Sequence, residues 1–289
     1  EFASLWNAAG CEVTLLIRKD RVLSTWERRA SMTLTRELKR RGVNVIARTA
    51  VDRVDTGANL GATVHYRQGD SDEDRTAYGE VVLAAIGRVP NTDADWFRSS
   101  GLKLDERGYV TVDGYGRTNL DGVWALGDIT PGHALAHRAF EQGITIAEKI
   151  AGADPKPVID DTVPQVVFSF PEAASVGLTL DQAKAREDVV EPKETAYPML
   201  SNARMLMSGE GGSMTVVSGA FANNPDMQVV LGVHIVSPIA SDLIAEAEQL
   251  VGNRVPLADA ARLIHPHPTF SETLGEALLK ADGRPLHTR

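Results

Sequence analysis

The chain has 289 residues, of which 43 % are hydrophobic and 24 % charged, the composition of an ordinary globular protein of roughly two domains. Its net charge of −9 argues against nucleic acid or an acidic membrane surface as a partner, and no apolar run approaches the ~18 residues of a membrane span. The single cysteine, Cys11, excludes an internal disulfide and a cysteine-rich metal site, and it indicates a reducing, cytoplasmic location.

The first fifty residues predict alternating helices and strands. The chain opens at Glu1 in the middle of an amphipathic helix, without methionine or a capping residue, so we expect a piece of a longer protein. Residues 12–17 form a nearly continuous apolar run that predicts a buried strand, and residues 43–46 predict a second one after a helix containing Leu34 and Leu38. This order predicts an α/β Rossmann-like nucleotide-binding domain that is truncated at its start.

The pattern then changes to an antiparallel excursion, with predicted strands at residues 51–54, 63–66 and 78–82. Buried strands are predicted at residues 81–86 and 123–126, and another strand is predicted at residues 109–112. A helix is predicted over residues 135–151, and the Gly- and Pro-rich residues 152–157 are interpreted as a linker.

The last third of the chain predicts strands followed by helices. The predicted strands are residues 163–168, 173–176, 214–217 and 229–236, and the predicted helices are residues 240–251, 257–263 and 271–281. Strands and helices that are segregated in this way indicate an α+β domain. We therefore expect three parts, which are residues 1–91, 92–158 and 159–289.

Three positions before residue 130 are candidate ligand contacts. Gly127-Asp128 follows a predicted strand, where an aspartate either binds a ligand hydroxyl or simply caps a turn. Arg18 ends the first strand, where dinucleotide domains meet the adenosine ribose, but with Lys19 and Arg21 it also fits a solvated loop. Gly87 follows a predicted strand and permits close approach of a ligand to the backbone.

The densest cluster of titratable and rigid residues lies in residues 265–272. It contains His265, His267 and Glu272, with Pro266 and Pro268 between them. An imidazole titrates near neutral pH, and a glutamate five residues after His267 can hold one ring nitrogen while the other carries a proton. A surface loop without chemistry is the alternative interpretation.

Four motifs in order resemble the flavin-dependent pyridine nucleotide-disulfide oxidoreductase family. Residues 85–92 resemble its A-x-G-R-x-P-N-T segment, residues 118–128 its T-x-x-x-G-x-x-A-x-G-D flavin segment, residues 166–177 the start of its dimerisation domain, and residues 265–272 its H-x-H-P-T-x-S-E motif. The doubled histidine and residues 131–143 and 276–285 are similar to the dihydrolipoamide dehydrogenases of this family.

The resemblance implies a role for individual residues. His267 would be the acid/base, paired with Glu272, and would act across a homodimer interface on the disulfide site of the partner chain. The residues implied to contact FAD are Asp128, Ala134, Leu135, Ala136, His137 and Glu1, and those implied to contact the nicotinamide dinucleotide are Gly87, Val51 and Arg18.

The resemblance implies that the whole protein oxidises dihydrolipoamide through a dithiol and FAD, with NAD as acceptor and a lipoamide-bearing acyltransferase or a small disulfide as partner. However, the C-x-x-x-x-C redox pair and the glycine-rich fingerprints are not in this sequence, so we expect the chain alone to be inactive. Ile17-Arg18 replaces the acid of NAD-specific members and resembles the NADPH-using glutathione reductases, which keeps NADP open. The alternatives are an NADPH-dependent disulfide or quinone reductase of the same fold, and a non-catalytic dimerisation fragment.

Overall fold

The computed structural model describes residues 1–57 and 61–288, which divide into two compact units. One unit joins Glu1–Leu83 to Pro164–Arg289, and the other is Ala84–Val163. The N-terminal strands and the C-terminal helices therefore belong to the same unit, although more than eighty residues separate them in the chain.

The first unit begins with the predicted helix–strand–helix–strand order. Helix α1 (Phe2–Ala8) precedes strand β1 (Thr14–Ile17), and helix α2 (Arg28–Arg40) precedes strand β2 (Asn44–Ala47). The two strands pair in parallel, which confirms the predicted Rossmann-type connection. The carboxylate of Glu27 starts α2 by accepting the backbone N–H groups of Arg29 and Ala30 at 2.6 and 2.7 Å.

The antiparallel excursion is also confirmed. Strands β3 (Thr49–Thr56), β4 (Ala62–Gln68) and β5 (Arg75–Gly79) form a three-stranded antiparallel sheet. The third strand lies a few residues earlier than predicted, because Thr76 and Tyr78 pair with β4 while the apolar residues after Gly79 do not.

The prediction of strands at residues 81–86, 109–112 and 123–126 was wrong. Residues 80–90 adopt no strand, and Val81 and Ile86 are 71 % and 95 % exposed. Residues 109–112 and 123–126 contribute only isolated bridges. A strand needs hydrogen bonds from a neighbour, and an apolar run by itself does not supply one.

The second unit contains helix α3 (Asp95–Ser99), a short 3₁₀ turn at Gly127–Ile129 and helix α4 (Ala136–Ile150). Helix α4 confirms the helix predicted over residues 135–151. A small core of Phe97, Val110 and Ala125 lies inside this unit.

The return segment of the first unit builds a five-stranded antiparallel sheet. Its elements are β6 (Gln165–Val167), β7 (Glu172–Gly177), α5 (Leu180–Ala185), β8 (Val189–Tyr197), α6 (Ala203–Ser208), β9 (Ser213–Phe221) and β10 (Asn224–Ser237). The strand order is β6-β7-β10-β9-β8, so all four predicted strands are present. The unpredicted strand β8 lies at the edge of the sheet, where Pro192 and a bulge after Val190 interrupt the pattern that would have indicated it.

Helices then cover this sheet. They are α7 (Ala240–Gly252), α8 (Leu257–Ala260), which is shorter than predicted, and α9 (Glu272–Ala281). Leu274 and Leu278 of α9 are buried with Ile244 of α7 and Ile235 of β10 in one hydrophobic core. Within residues 1–57 and 61–288, no helix is long and apolar enough to cross a bilayer.

Candidate acid–base site on the histidine loop

The histidine loop, residues 265–271, is the last part of the connection between α8 and α9 and ends where α9 begins. Glu272 is the first residue of α9, and its Oε2 accepts the backbone N–H of Thr269 at 2.7 Å. The positive end of the helix dipole also stabilises a carboxylate in this position. The sequence therefore places Glu272 at the point where the loop turns into the helix, with one oxygen already fixed by the backbone.

The second oxygen of the same carboxylate holds His267. Oε1 of Glu272 lies 2.7 Å from Nδ1 of His267, and the histidine side chain is 72 % exposed whereas the glutamate is 19 % exposed. An ionised carboxylate only accepts hydrogen bonds, so Nδ1 must be the donor, and in the neutral ring Nε2 then carries the lone pair. The arrangement presents a proton acceptor on an exposed ring whose orientation is fixed by a shielded carboxylate.

The charge on Glu272 is stabilised by these contacts. Burial alone raises the pKa of the Glu272 carboxyl, but hydrogen bonds from Thr269 N–H and His267, with the positive charge of His267 and His287, outweigh burial and lower it. Glu272 therefore stays ionised and able to accept from His267 over a wider acidic range than a free glutamate.

Further hydrogen bonds fix the shape of the loop. The Thr269 hydroxyl donates to the carbonyl of Pro266 at 2.6 Å, and Nδ2 of Asn202 donates to the carbonyl of Thr269 at 3.1 Å. Asn202 also begins α6 by accepting the N–H of Met205. The part of the loop that follows His267 is thus tied to a helix 67 positions earlier in the chain.

His265 occupies a different environment from His267. Its side chain is only 9 % exposed, and its Nε2 lies 2.9 Å from Oε1 of Glu246 on α7. The hydrogen bond to Glu246 raises the pKa of His265, burial opposes this, and the charge of Glu246 and a hydrogen bond to the Leu263 backbone raise it further. Glu246 was not among the residues that the sequence singled out.

The residues that the resemblance assigns to FAD fall mostly in the second unit. Asp128 lies in the 3₁₀ turn, Leu135 directly precedes α4, and Asp128, Ala134, Ala136 and His137 are exposed. Helix α4 begins without a side-chain cap, and helix N-termini favour electron-rich ligand atoms. This segment therefore offers an exposed acid and a helix N-terminus within ten residues of sequence.

The residues assigned to the dinucleotide are divided between the two units. Arg18 is exposed directly after β1, Val51 is exposed on β3, and Gly87 lies in the second unit with φ of +140°, a backbone conformation that favours glycine. Glu1, assigned to the flavin, is exposed in the first unit, and its Oε1 accepts the backbone N–H of Phe168 at 2.8 Å.

Two family profiles match the chain in succession. The profile of the pyridine nucleotide-disulphide oxidoreductases matches residues 1–143, and the profile of the dimerisation domain of these enzymes matches residues 163–278. Together the two profiles take in most of the sequence. This chain belongs to the pyridine nucleotide-disulphide oxidoreductase family.

Curated members of the pyridine nucleotide-disulphide oxidoreductase family align with nearly the whole chain. The chain is 37 % identical over 289 residues to a dihydrolipoyl dehydrogenase of Cupriavidus necator, and 36 % identical over 293 residues to one of Geobacillus stearothermophilus. Each alignment covers 99 % of this chain and 59 % of the relative, so the chain spans about three fifths of the length of these relatives.

Solved structures agree with the family assignment. LpdA from Mycobacterium tuberculosis is 30 % identical and superposes with a TM-score of 0.84 over 97 % of this chain and 59 % of its own. The HOCl-induced flavoprotein disulfide reductase RclA from Escherichia coli, at 23 % identity, shares the fold with a TM-score of 0.81 over 96 % of this chain and 61 % of its own. These findings confirm the predicted family and the predicted order of a Rossmann-type part and a dimerisation domain.

Proposed function

We propose that this chain is the C-terminal portion of a flavoprotein that oxidises dihydrolipoamide, with FAD and NAD as cofactors. The observation that carries the proposal is the hydrogen bond of 2.7 Å between Nδ1 of His267 and Glu272 on an exposed loop. It supplies the acid–base pair that dithiol chemistry requires, in a chain that is similar to dihydrolipoyl dehydrogenases along almost its full length.

In the proposed reaction His267 moves protons and Glu272 orients it. Nε2 of His267 takes a proton from a substrate thiol and leaves a thiolate, which is the nucleophilic form of sulfur. The resulting imidazolium keeps Nδ1 directed at Glu272, whose negative charge stabilises the cation. The thiolate then attacks one sulfur of the partner chain's disulfide, and His267 gives its proton to the sulfur that this attack releases as a thiolate.

The exposed residues of this chain fit the two cofactors. The carboxylate of Asp128 can accept from a flavin hydroxyl and the start of α4 suits electron-rich flavin atoms, and Arg18 follows β1 where dinucleotide domains meet the adenosine ribose. When bound, FAD and NAD would supply the electron and hydride transfer that no side chain can perform.

Two copies of the whole protein would form the active unit. The match to a dimerisation-domain profile over residues 163–278 supports a homodimer. Cys11 is the single cysteine of this sequence, so the dithiol that His267 would serve must come from elsewhere, in the proposal from the partner chain. A lipoamide-bearing acyltransferase in the cytoplasm would supply the substrate.

A second candidate is an NADPH-dependent disulfide or quinone reductase of the same fold. It is favoured by the basic residues around the end of β1, where Arg18 is exposed and a cleft of about 390 Å³ is lined by Arg21, Arg28, Arg36 and Lys39 among others. A 2′-phosphate would meet complementary charge there, although Arg21 is already paired with Asp20 at 2.9 Å.

The experiment is a turnover assay on the full-length protein with dihydrolipoamide and either NAD or NADP. We expect NAD reduction, and we expect His267→Gln to lower turnover by about 10²–10⁴-fold with the flavin spectrum unchanged. The matched control is His65→Gln, because His65 is also paired with a carboxylate, Asp74 at 3.0 Å, but lies on β4.

Three outcomes decide between the candidates. A clear preference for NADP with a disulfide or quinone acceptor would select the second candidate. Turnover of His267→Gln within a factor of about two of wild type would contradict the acid–base role. A full-length protein that dimerises by light scattering but binds no flavin would identify a non-catalytic dimerisation module.

A further inference from the structure

The two histidines of the histidine loop differ in what they contact. His267 is mostly exposed, whereas His265 is nearly buried and bridges to α7 through the 2.9 Å contact between its Nε2 and Oε1 of Glu246. The acid–base role proposed for His267 leaves His265 and Glu246 without an assignment. Only the His265 side of the pair is shielded, because Glu246 is 37 % exposed, and a charge on the shielded ring depends on this carboxylate as its partner.

The ring of His265 also lies directly on α9. A Cβ placed on Gly275 would fall 2.5 Å from Nδ1 and 3.0 Å from Cε1 of His265. Gly275 follows Glu272 by three residues, which places the two on the same side of the helix. His265 is thus held between α7, which supplies Glu246, and the backbone of α9 beside the residue that orients His267.

The loop between the two histidines is short and stiff. Pro266 fixes its own φ and restricts His265, and Pro268 does the same for itself and His267. After His267, the loop is tied down by the hydrogen bond of Thr269 to Glu272. On the other side of His267, the contacts of His265 with Glu246 and with α9 at Gly275 hold the loop in place.

We propose that His265, Glu246 and Gly275 form an anchor that positions the ring of His267 against Glu272. His265 is a positioning residue in this scheme and transfers no proton to substrate. The geometry of the anchor is a property of this chain, and only its consequence for turnover rests on the proposed function.

The electrostatics of the pair agree with this role. Glu246 on α7 and Glu272 on α9 are the carboxylates that raise the proton affinity of His265, which favours the doubly protonated ring. In that form both ring nitrogens can donate; Nε2 donates to Glu246 and the Leu263 backbone also accepts from the ring, so the ring resists rotation. A neutral aromatic residue would fill the same space without fixing the orientation.

The test uses this chain and measures the state of the Glu272–His267 pair instead of enzyme activity. Nuclear magnetic resonance follows the titration of the Glu272 carboxyl and the exchange of the Thr269 amide in His265→Phe and Glu246→Ala. We expect the pKa of Glu272 to rise toward its ordinary value and the Thr269 amide to exchange roughly tenfold faster in both variants. Circular dichroism verifies that each variant is folded, and Glu246→Ala leaves the ring in place should His265→Phe not fold.

Two further variants separate positioning from general loss of stability. Glu246→Gln keeps an acceptor for Nε2 and should restore both signals at least in part. Asp282→Asn breaks the 2.6 Å pair with Arg284 at the end of the same helix and should leave both signals unchanged. An unchanged Glu272 titration in folded His265→Phe and Glu246→Ala, or an equal effect of Asp282→Asn, would overturn the proposal. Because neither signal depends on substrate or flavin, these results stand apart from the fate of the proposed function.

Discussion

The substitution Glu272→Gln tests the orientation of His267 with almost no change of shape. The carboxylate of Glu272 accepts two hydrogen bonds, from Thr269 N–H and from Nδ1 of His267, both at 2.7 Å. Glutamine has a single acceptor oxygen, and its nitrogen donates. One of the two partners must therefore face a donor.

The two partners differ in how easily they adapt. The backbone N–H of Thr269 can only donate, so an amide nitrogen opposite it would cost about 1–3 kcal/mol. His267 can instead change tautomer, so that Nδ1 accepts from the glutamine nitrogen and the ring proton moves to Nε2. We expect this second arrangement, in which Nε2 can no longer take a proton from a thiol.

The expected loss of stability follows from the two hydrogen bonds that the Glu272 carboxylate accepts. Hydrogen bonds to a charged group contribute about 1.5–3 kcal/mol and neutral ones about 0.5–1.5 kcal/mol, and the exposure of His267 reduces the difference. We expect a loss of about 1–2 kcal/mol in the free energy of unfolding at neutral pH. Turnover of the full-length protein should fall by about 10²–10⁴-fold.

The pH dependence has a definite sign. The pKa of Glu272 is lower in the folded chain than in the unfolded chain, so its ionisation contributes stability above the unfolded pKa. That contribution disappears as the pH falls through the folded pKa. The difference in stability between wild type and Glu272→Gln should therefore shrink in acid.

The assay combines urea unfolding at neutral and acidic pH with ¹⁵N spectra of the His267 ring. The control is Glu276→Gln, because Glu276 lies one turn further along α9 and accepts from Nδ1 of His287 at 2.8 Å and from its backbone N–H at 3.2 Å. This control repeats the chemistry outside the histidine loop and should leave turnover unchanged. The reasoning fails if His267 in Glu272→Gln keeps its proton on Nδ1, or if turnover is unaffected.

Three further predictions concern side chains other than Glu272. Leu278→Ala, which truncates a fully buried side chain, should lower the free energy of unfolding in urea by about 2–5 kcal/mol. Asp160→Asn removes the carboxylate 2.6 Å from Nε of the buried Arg138 and should destabilise the second unit by about 1–3 kcal/mol, measured as faster amide exchange confined to residues 84–163. The pKa of His265 is raised in the folded chain, so its pairing with Glu246 stabilises the fold fully below the unfolded pKa. This contribution is lost as the pH rises through the folded pKa. Glu246→Ala should therefore lower the free energy of unfolding more at about pH 6 than at about pH 9.

The elements that the sequence predicted well are those with local signals. Helix α4 and the buried parts of β9 and β10 carry long apolar patterns, and β1 and β2 are short runs bounded by charge or glycine. Strand β8 was missed because an edge strand is exposed along one side and here contains Pro192. Residues 81–86 show the opposite case, since hydrophobicity without a pairing neighbour did not produce a strand.

The same division between local and distant signals applies to the site. His267 and Glu272 could be paired from the sequence because they are only five positions apart, with Pro268 between them. Asn202 lies 67 positions from the carbonyl that it holds, and Glu246 lies 19 positions from His265 on another helix. Contacts over such separations follow no periodic pattern in the sequence, so Asn202 and Glu246 could be identified only from the folded structure.

The anchor around His265 explains a residue of α9 that the helix itself does not require. Gly275 lies inside α9, where glycine costs about 0.5–1 kcal/mol relative to alanine. The neighbouring residues Leu274, Ala277 and Leu278 pack into the core, so nothing in the helix itself requires a glycine. The ring of His265 supplies the reason, because it lies where a Cβ of residue 275 would be.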